Sequence, residues 1–221
     1  MPKTDIDRIA VIVPAADEEE LVGETIRSVW AAADEVDVPV ELVVVANGCS
    51  DRTAEVAADR GAHVVVDPGS NVGVARALGS AWAMRRGTDG LWLAHTDADT
   101  VVPTRWLRTF LRCAADGHDV VLGTIVLPVA DQHRHRAWVE RYARTDLHVH
   151  GANLGVRAST YSEVGGFSPL TAHEDVDLVD RARAAGASTT WVSDCAVETS
   201  ARTDPRAPAG VGRDLAEGQP A

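Results

Sequence analysis

Two aspartates, Asp97 and Asp99, stand one residue apart in LWLAHTDADTVVP (Leu91 to Pro103), directly after an apolar run. Asp17 and Glu18 likewise follow the apolar run RIAVIVP, and Asn47 to Asp51 follow VELVVVA. Carboxylates gathered at one place repel each other and lose hydration, so they need a cation or hydrogen-bond donors in compensation. Hard oxygen ligands suit Mg²⁺ or Mn²⁺, which one or two carboxylates hold while the phosphates of a ligand complete the shell. The chemistry implied is the handling of a metal-bound diphosphate. The plainer use of an Asp-x-Asp step is a turn or a helix cap, since aspartate favours both. Only the company the pair keeps separates the two uses.

That company depends on the elements that carry it. Arg8 to Pro14, Val40 to Ala46, His63 to Asp67 and Leu91 to Thr96 are short β-branched runs, and their near-continuous apolarity predicts a parallel sheet covered on both faces. Between them EEELVGETIRSVWAAA, DRTAEVAADRG and NVGVARALGSAWAMRRG carry apolar residues at three- and four-residue intervals. The last two end in glycine, a common residue just past a helix. This alternation predicts an α/β fold with right-handed crossovers, in which ligands gather at the carboxyl ends of the strands. The acidic clusters all fall at that edge.

Past Pro103 the spacing predicts a helix through Trp106, Leu107, Phe110 and Leu111, then a strand over Asp119 to Pro128 and helical tendency over Asp131 to Arg144. Further on it predicts a short helix near Thr160 to Val164, a helix from Glu174 to Ala185 and a late strand in TTWVSD. Trp30, Trp82, Trp106, Trp138 and Trp191 have apolar neighbours at element spacing and are expected in the core. Residues 1–202 are expected to form one domain, with a nucleotide-binding half over 1–100 and an acceptor half over 101–202. The tail from Thr203 is rich in Pro, Gly and Ala without apolar periodicity and is expected to be mobile.

Composition narrows the function classes. The chain has 221 residues and a formal net charge of -12, which excludes sequence-independent attraction to nucleic acid without a basic patch. The arginines of Arg105 to Arg112 and Arg134 to Arg144 are dispersed among acids and apolar residues, as on solvated helix faces. Three cysteines without a Cys-x-x-Cys pair argue against structural zinc and fit a reducing compartment. The first residues lack the order of a signal peptide, and no apolar run approaches the roughly 20 residues of a membrane-spanning helix. A cytoplasmic location without a transmembrane segment is expected.

Taken together and in order, these segments resemble the family 2 glycosyltransferases of the GT-A fold, over about Ile9 to Arg202. VIVPAADEEE is similar to the first strand and acidic turn of that family, which implies that Pro14, Asp17 and Glu18 lie beside the nucleotide. VVVANGCSDRT resembles the second-strand motif, NVGVARALG the helix whose basic residue (here Arg76) sits near the base and diphosphate, and TDADT the metal motif. GANLGVRASTYSEVGGF resembles the acceptor-side segment, with Asn153 and Arg157 as contacts to donor sugar or acceptor. HEDVDLVDRARAAG is similar to the helix that supplies the catalytic base.

The resemblance implies a nucleotide-diphospho-sugar transferase with a mixed, mainly parallel sheet flanked by helices. Asp99 would bind Mn²⁺ or Mg²⁺ directly, and Asp97 would reach the ribose or the metal shell. Asp175 would be the base, Glu174 would orient the site, and Arg202 would close over the diphosphate. The donor would be a nucleoside diphosphate sugar, the acceptor an unspecified small molecule, lipid or glycan, and the reaction would invert the anomeric carbon. Two physical needs agree with this. Negative charge builds on a departing diphosphate where a cation stabilises it, and an acceptor hydroxyl must give up its proton to a positioned base.

The chain departs from the family at Ala46-Asn47-Gly48-Cys49, where many relatives have Asp-Asp-Gly-Ser. An aspartate there commonly accepts a hydrogen bond from uracil, which alanine does not, whereas the Asn47 amide offers both a donor and an acceptor and suits another base. His148, His150 and His173 invite a metal reading, but imidazole is also an ordinary hydrogen-bonding group. Two alternatives stand beside the transferase. One is a nucleotide-sugar-binding protein of this fold without turnover. The other is a nucleotidyltransferase, which would want a Gly-rich basic phosphate loop where this chain has PAADEEE.

Overall fold

The computed structural model describes residues 5–144, 149–203 and 210–217. Strands β1 (Arg8–Ala15), β2 (Val40–Asn47), β3 (His63–Asp67) and β4 (Leu91–His95) form where the apolar runs predict them. Helices α1 (Val22–Ala33), α2 (Thr53–Asp59) and α3 (Val72–Ala83) connect them, and the strands pair in parallel in the order β3-β2-β1-β4. Successive side chains of a strand point to opposite faces. In β1, Ile9, Val11 and Val13 therefore join the core beneath α1, while Ala10 and Ile12 join a second core on the other face. Burial on both faces, at about 1.5–3 kcal/mol for each fully buried Val or Ile, explains why these runs do not alternate with polar residues.

α3 begins with an Asn71 cap, whose Oδ1 accepts from the Val74 amide at 3.0 Å. Its Gly79 lies against β1 and β2: a Cβ there would sit 2.6 Å from Ile12 Cγ2 and 3.1 Å from Val45 Cγ2. Only glycine lets the helix approach this closely, and that approach sets where Arg76, three residues earlier, meets the sheet edge.

The second half is mixed. β5 (Thr100–Val101), α4 (Trp106–Ala115) and β6 (Val120–Val126) are followed by α5 (Val129–Gln132) and α6 (Arg136–Tyr142). Then come β7 (Leu154–Arg157), α7 (Ala158–Glu163), α8 (Glu174–Ala184), β8 (Thr189–Thr199) and α9 (Val211–Glu217). The eight strands form one sheet in the order β3-β2-β1-β4-β7-β6-β8-β5. β7 runs antiparallel to both β4 and β6, so its carboxyl end lies at the edge opposite the carboxyl end of β4. β8 pairs in parallel with β6, with a register irregularity between Gly123 and Ile125. Its far end pairs antiparallel with β5, Thr100 opposite Thr199, and the Ser200 amide donates to the Asp99 carbonyl at 3.1 Å. The residues after β8 are thereby brought beside Asp99.

Three expectations meet a different outcome. The tail contains α9, whose Leu215 is buried in the core under α1 and α4; residues 204–209 and 218–221 lie outside the described residues. Trp106 and Trp138 are core residues, but Trp30, Trp82 and Trp191 are half-buried. All three pack against the core from its edge, where Trp82 also stacks on His63 with centroids 3.9 Å apart and Trp191 lies under Arg183. β7 and β5 were not predicted, being only four and two residues long. The dispersed arginines do lie on solvated faces, Arg108 pairing with Glu35 and Arg136 with Glu140. Among the described residues no helix is long and apolar enough to cross a membrane.

Candidate active site

The carboxyl ends of the parallel strands open into a cleft of about 610 Å³, a size that accommodates a small-molecule ligand. Pro14, Glu18, Asn47, Arg76, Asp97 and Asp99 line one side, and Glu174, Asp175 and Arg202 complete the lining. Of the predicted site residues Pro14, Asp17, Glu18, Asn47, Arg76, Asp97, Asp99, Asn153, Glu174, Asp175 and Arg202, all but Asp17 and Asn153 line it.

Arg76 ties the cleft together. Its side chain is 2% exposed; Nη2 donates to Asp97 Oδ1 at 2.5 Å and Nε to Glu174 Oε1 at 3.0 Å. One guanidinium on α3 thus joins the loop after β4 to the start of α8. Burial pushes the Glu174 carboxyl above its ordinary range, and Arg76 pulls it back. Gly151 forms a shelf against the guanidinium, where a Cβ would lie 2.8 Å from Arg76 Cζ. Arg76 Nη1 is buried and makes no hydrogen bond among the described residues.

The second cluster joins Glu18, Asp99 and Arg202. Glu18, 5% exposed, is gripped by both terminal nitrogens of Arg202, with Nη1 to Oε2 at 2.8 Å. Arg202 Nη2 is also 3.1 Å from Asp99 Oδ2. Burial, with the neighbouring Asp97 carboxylate, raises Asp99 from 3.8 to about 6, against the opposing pull of Arg202. The fold therefore brings two carboxylates together in partly desolvated surroundings, a donor set that fits a hard divalent cation: Asp97 and Asp99 would hold it, and its charge would relieve the repulsion.

At the opposite wall Asp175 accepts from the Gly151 amide through Oδ2 at 2.6 Å and from the Val176 amide through Oδ1 at 2.8 Å. These bonds fix the Asp175 carboxyl group in the cleft wall. The turn before α8 is strained: His173 holds a left-handed backbone with φ 60°. The role of the Gly151 amide was missed in the sequence, although Gly-Ala-Asn stood in the acceptor-side motif. A backbone donor carries no side-chain signal.

Several expectations are corrected by the geometry. Asn153 does not reach the cleft. It is fully buried, donating through Nδ2 to the Thr124 and Cys195 carbonyls, both at 2.9 Å, and accepting from Trp106 Nε1 at 2.9 Å. Both carbonyls fall in the irregular stretch of the β6–β8 pairing, and the amide satisfies what the ladder does not. Replacing Asn153 by Leu is expected to destabilise the fold by about 3 kcal/mol, through three groups left unpaired, with nucleotide affinity in the surviving folded protein unchanged. Denaturant unfolding and a binding titration check both halves.

Arg157 is carried by antiparallel β7 to the opposite sheet edge, where it binds Asp5 at 2.7 and 2.8 Å and donates to the Ala114 carbonyl at 2.8 Å. Asp17 turns away from the main cleft. With φ 53°, it accepts from the Ser50 amide at 2.7 Å and the Asp51 amide at 3.3 Å, bonds that hold its carboxyl below the ordinary range. Asp17, Cys49 and Asp51 have ligand atoms within 4.8 Å of one another, but the bonds of the aspartates to backbone amides and to Thr53 account for the cluster. His150 Nε2 is taken up by the Tyr142 hydroxyl at 3.0 Å, His173 is exposed, and His148 lies outside the described residues.

Residues 10–161 match the family model described as Glycosyl transferase family 2. The chain belongs to that family. Curated relatives of this chain include the undecaprenyl-phosphate 4-deoxy-4-formamido-L-arabinose transferases of Pectobacterium carotovorum subsp. carotovorum (32% identical over 124 residues) and Sodalis glossinidius (29% over 141 residues). The matches cover 55% and 62% of this chain but only 37% and 41% of those proteins. Among solved structures, S. aureus TarS 1-349 in complex with UDP-GlcNAc superposes with a TM-score of 0.66 at 17% identity, covering 94% of this chain and 64% of that one. The Pyrobaculum calidifontis mannosyltransferase PcManGT with GDP-Man and Mn²⁺ superposes at 0.62 and 20% identity, covering 86% and 56%. These likenesses establish the GT-A fold that the family 2 motifs implied.

Proposed function

We propose that this family 2 domain transfers a sugar from a nucleoside diphosphate sugar to an acceptor hydroxyl, with inversion at the anomeric carbon. The observation that supports the reading is the Asp97–Arg76–Glu174 chain of ion pairs, which ties the loop after β4 to the start of α8 in one cleft. Pro14, Glu18 and Asn47 line the wall assigned to the nucleotide, over the half formed by residues 1–100. Arg76 and Arg202 are the cationic residues assigned to the diphosphate. A bound Mg²⁺ or Mn²⁺ on Asp97 and Asp99 would supply positive charge where the leaving diphosphate becomes more negative.

Asp175 takes the proton of the attacking hydroxyl, and Glu174 is a positioning residue that acts through Arg76. The curated relatives carry undecaprenyl phosphate in their names. A phosphate acceptor arrives largely ionised near pH 7 and needs no base, so the carboxylate at the acceptor wall favours the hydroxyl.

The test is thermal stability with a panel of nucleoside diphosphates, each with and without Mn²⁺. A nucleotide at one hundred times its dissociation constant is expected to stabilise the chain by about 2.7 kcal/mol. Loss of the metal-dependent part in Asp99→Asn is expected; unchanged metal dependence would overturn the assignment. The effect also depends on pH. Asp99 holds its proton to about pH 6 in the folded chain against an ordinary 3.8, so in the absence of a cation its ionisation opposes folding, a cost present above pH 6 and gone below about 4. A cation favours the ionised form, so metal-dependent stabilisation is expected to grow as pH rises through about 6 and to fade below it.

A further inference from the structure

We propose that Arg202 competes with the divalent cation for Asp99, and that the diphosphate of the donor is the ligand that draws it away. The inference rests on the reading of the cleft as a cation-dependent nucleoside diphosphate site, and it adds a coupling between the two ligands of that site. Glu18, Asp99 and Arg202 all line the cleft. Arg202 holds Glu18 with both terminal nitrogens, and its Nη2 also lies 3.1 Å from Asp99 Oδ2. A guanidinium only donates and keeps its charge at neutral pH. It therefore fills a coordination position of Asp99 and brings a positive charge to it.

The backbone puts it there. β5 and β8 pair with Thr100 opposite Thr199, the Ser200 amide donates to the Asp99 carbonyl at 3.1 Å, and Ser200 Oγ accepts from the Arg202 amide at 3.3 Å. Both carboxylates of the Asp-x-Asp pair thus carry an arginine, Asp97 that of α3 and Asp99 that of the segment after β8. The two arginines differ in freedom. Arg76 is 2% exposed, spans Asp97 and Glu174, and lies against Gly151. Arg202 is 27% exposed and follows the end of β8. Arg202 is the one that can give way.

A divalent cation on Asp99 and the Arg202 guanidinium are like charges sharing one carboxylate, so each disfavours the other. A diphosphate reverses the sign. Its oxygens accept from Nη2 in place of Asp99 and neutralise both positive charges, while Nη1 stays on Glu18 Oε2, a buried carboxylate that keeps the side chain at the wall. Cation and diphosphate therefore bind with positive coupling, and each raises the affinity of the other by the same factor. Arg202 sets the size of that factor.

The experiment uses the full chain and two probes. Binding of Mn²⁺ alone is followed by loss of the free-ion electron paramagnetic resonance signal, counting only the binding that Asp99→Asn removes. Binding of pyrophosphate, with Mn²⁺ in excess, is followed by calorimetry. Arg202→Met is expected to tighten Mn²⁺ about tenfold and to weaken pyrophosphate about tenfold. A substitution that merely loosened the fold would weaken both. Should the Glu18 carboxylate stranded by that variant prevent folding, Glu18→Gln is compared with Glu18→Gln/Arg202→Met, and the same opposite shifts are expected. Mn²⁺ affinity unchanged or lowered by loss of Arg202 would overturn the competition, and pyrophosphate affinity not weakened would overturn the transfer of Arg202 to the diphosphate; either result leaves the transferase reading intact. No Asp99-dependent Mn²⁺ binding by the unaltered chain would overturn the cation site and this inference with it.

Discussion

Asp175→Asn is expected to lower the turnover of sugar transfer by about 10²- to 10⁴-fold, the usual worth of a positioned general base, while the affinity for the donor nucleotide stays as it was. The prediction follows from where Asp175 sits. Its two oxygens accept from the Gly151 and Val176 amides at 2.6 and 2.8 Å, so the side chain is held by backbone donors on the side of the cleft proposed for the acceptor. An amide of the same shape cannot take up the acceptor proton, and its NH₂ group faces a backbone N–H. Single-turnover rates separate chemistry from binding, and a nucleotide titration of the same variant gives the second number. Undiminished turnover with a hydroxyl acceptor would remove Asp175 from the mechanism.

The second large effect is on stability. Arg76→Met is expected to cost about 3–5 kcal/mol, because it strands the buried Glu174 carboxylate and removes the cation beside half-exposed Asp97. Glu174 is 5% exposed and already pushed above its ordinary carboxylate range by burial. Without Arg76 it would be pushed further. Protonation relieves that penalty, so the deficit of the variant is expected to shrink as pH falls toward the raised value and to be largest near neutral pH. Adding Glu174→Gln to Arg76→Met is expected to recover part of the loss, since the stranded charge is gone. Denaturant unfolding of the two single variants and the double variant measures the coupling. Additive losses would mean that the ion pair does not hold α3 to α8.

The cleft walls depend on α3, α8 and the end of β8, joined through the ion pairs of Arg76 and Arg202. Variants at Arg76 are therefore expected to change whether the cleft assembles.

Local pattern determined much of this molecule. The runs at Arg8, Val40, His63 and Leu91 encode four parallel strands, because side chains buried on both faces must be apolar at every position. A parallel strand ends at the ligand edge, so the residues just after these runs, Glu18, Asn47, Asp97 and Asp99, were marked for the cleft from the chain alone. The helices that begin near Asn71 and Glu174 were legible from their spacing, and with them Arg76, Glu174 and Asp175 as candidates.

What only the tertiary structure decided is which of these meet, and on which side. Arg76 and Glu174 lie 98 residues apart in the chain, and their contact has no local signal. Arg157 was expected near the ligand and lies at the far edge, because four-residue β7 inserts antiparallel and reverses the direction in which its carboxyl end points. Asn153 was expected to touch a ligand and instead satisfies two carbonyls at an irregularity in strand pairing, a need created only when β6 and β8 come together. Gly151 entered the cleft wall through a backbone N–H that no side-chain pattern announces. Hydrophobic periodicity is written within a few residues of sequence, whereas hydrogen-bond satisfaction and charge pairing are settled between segments that the fold alone brings together.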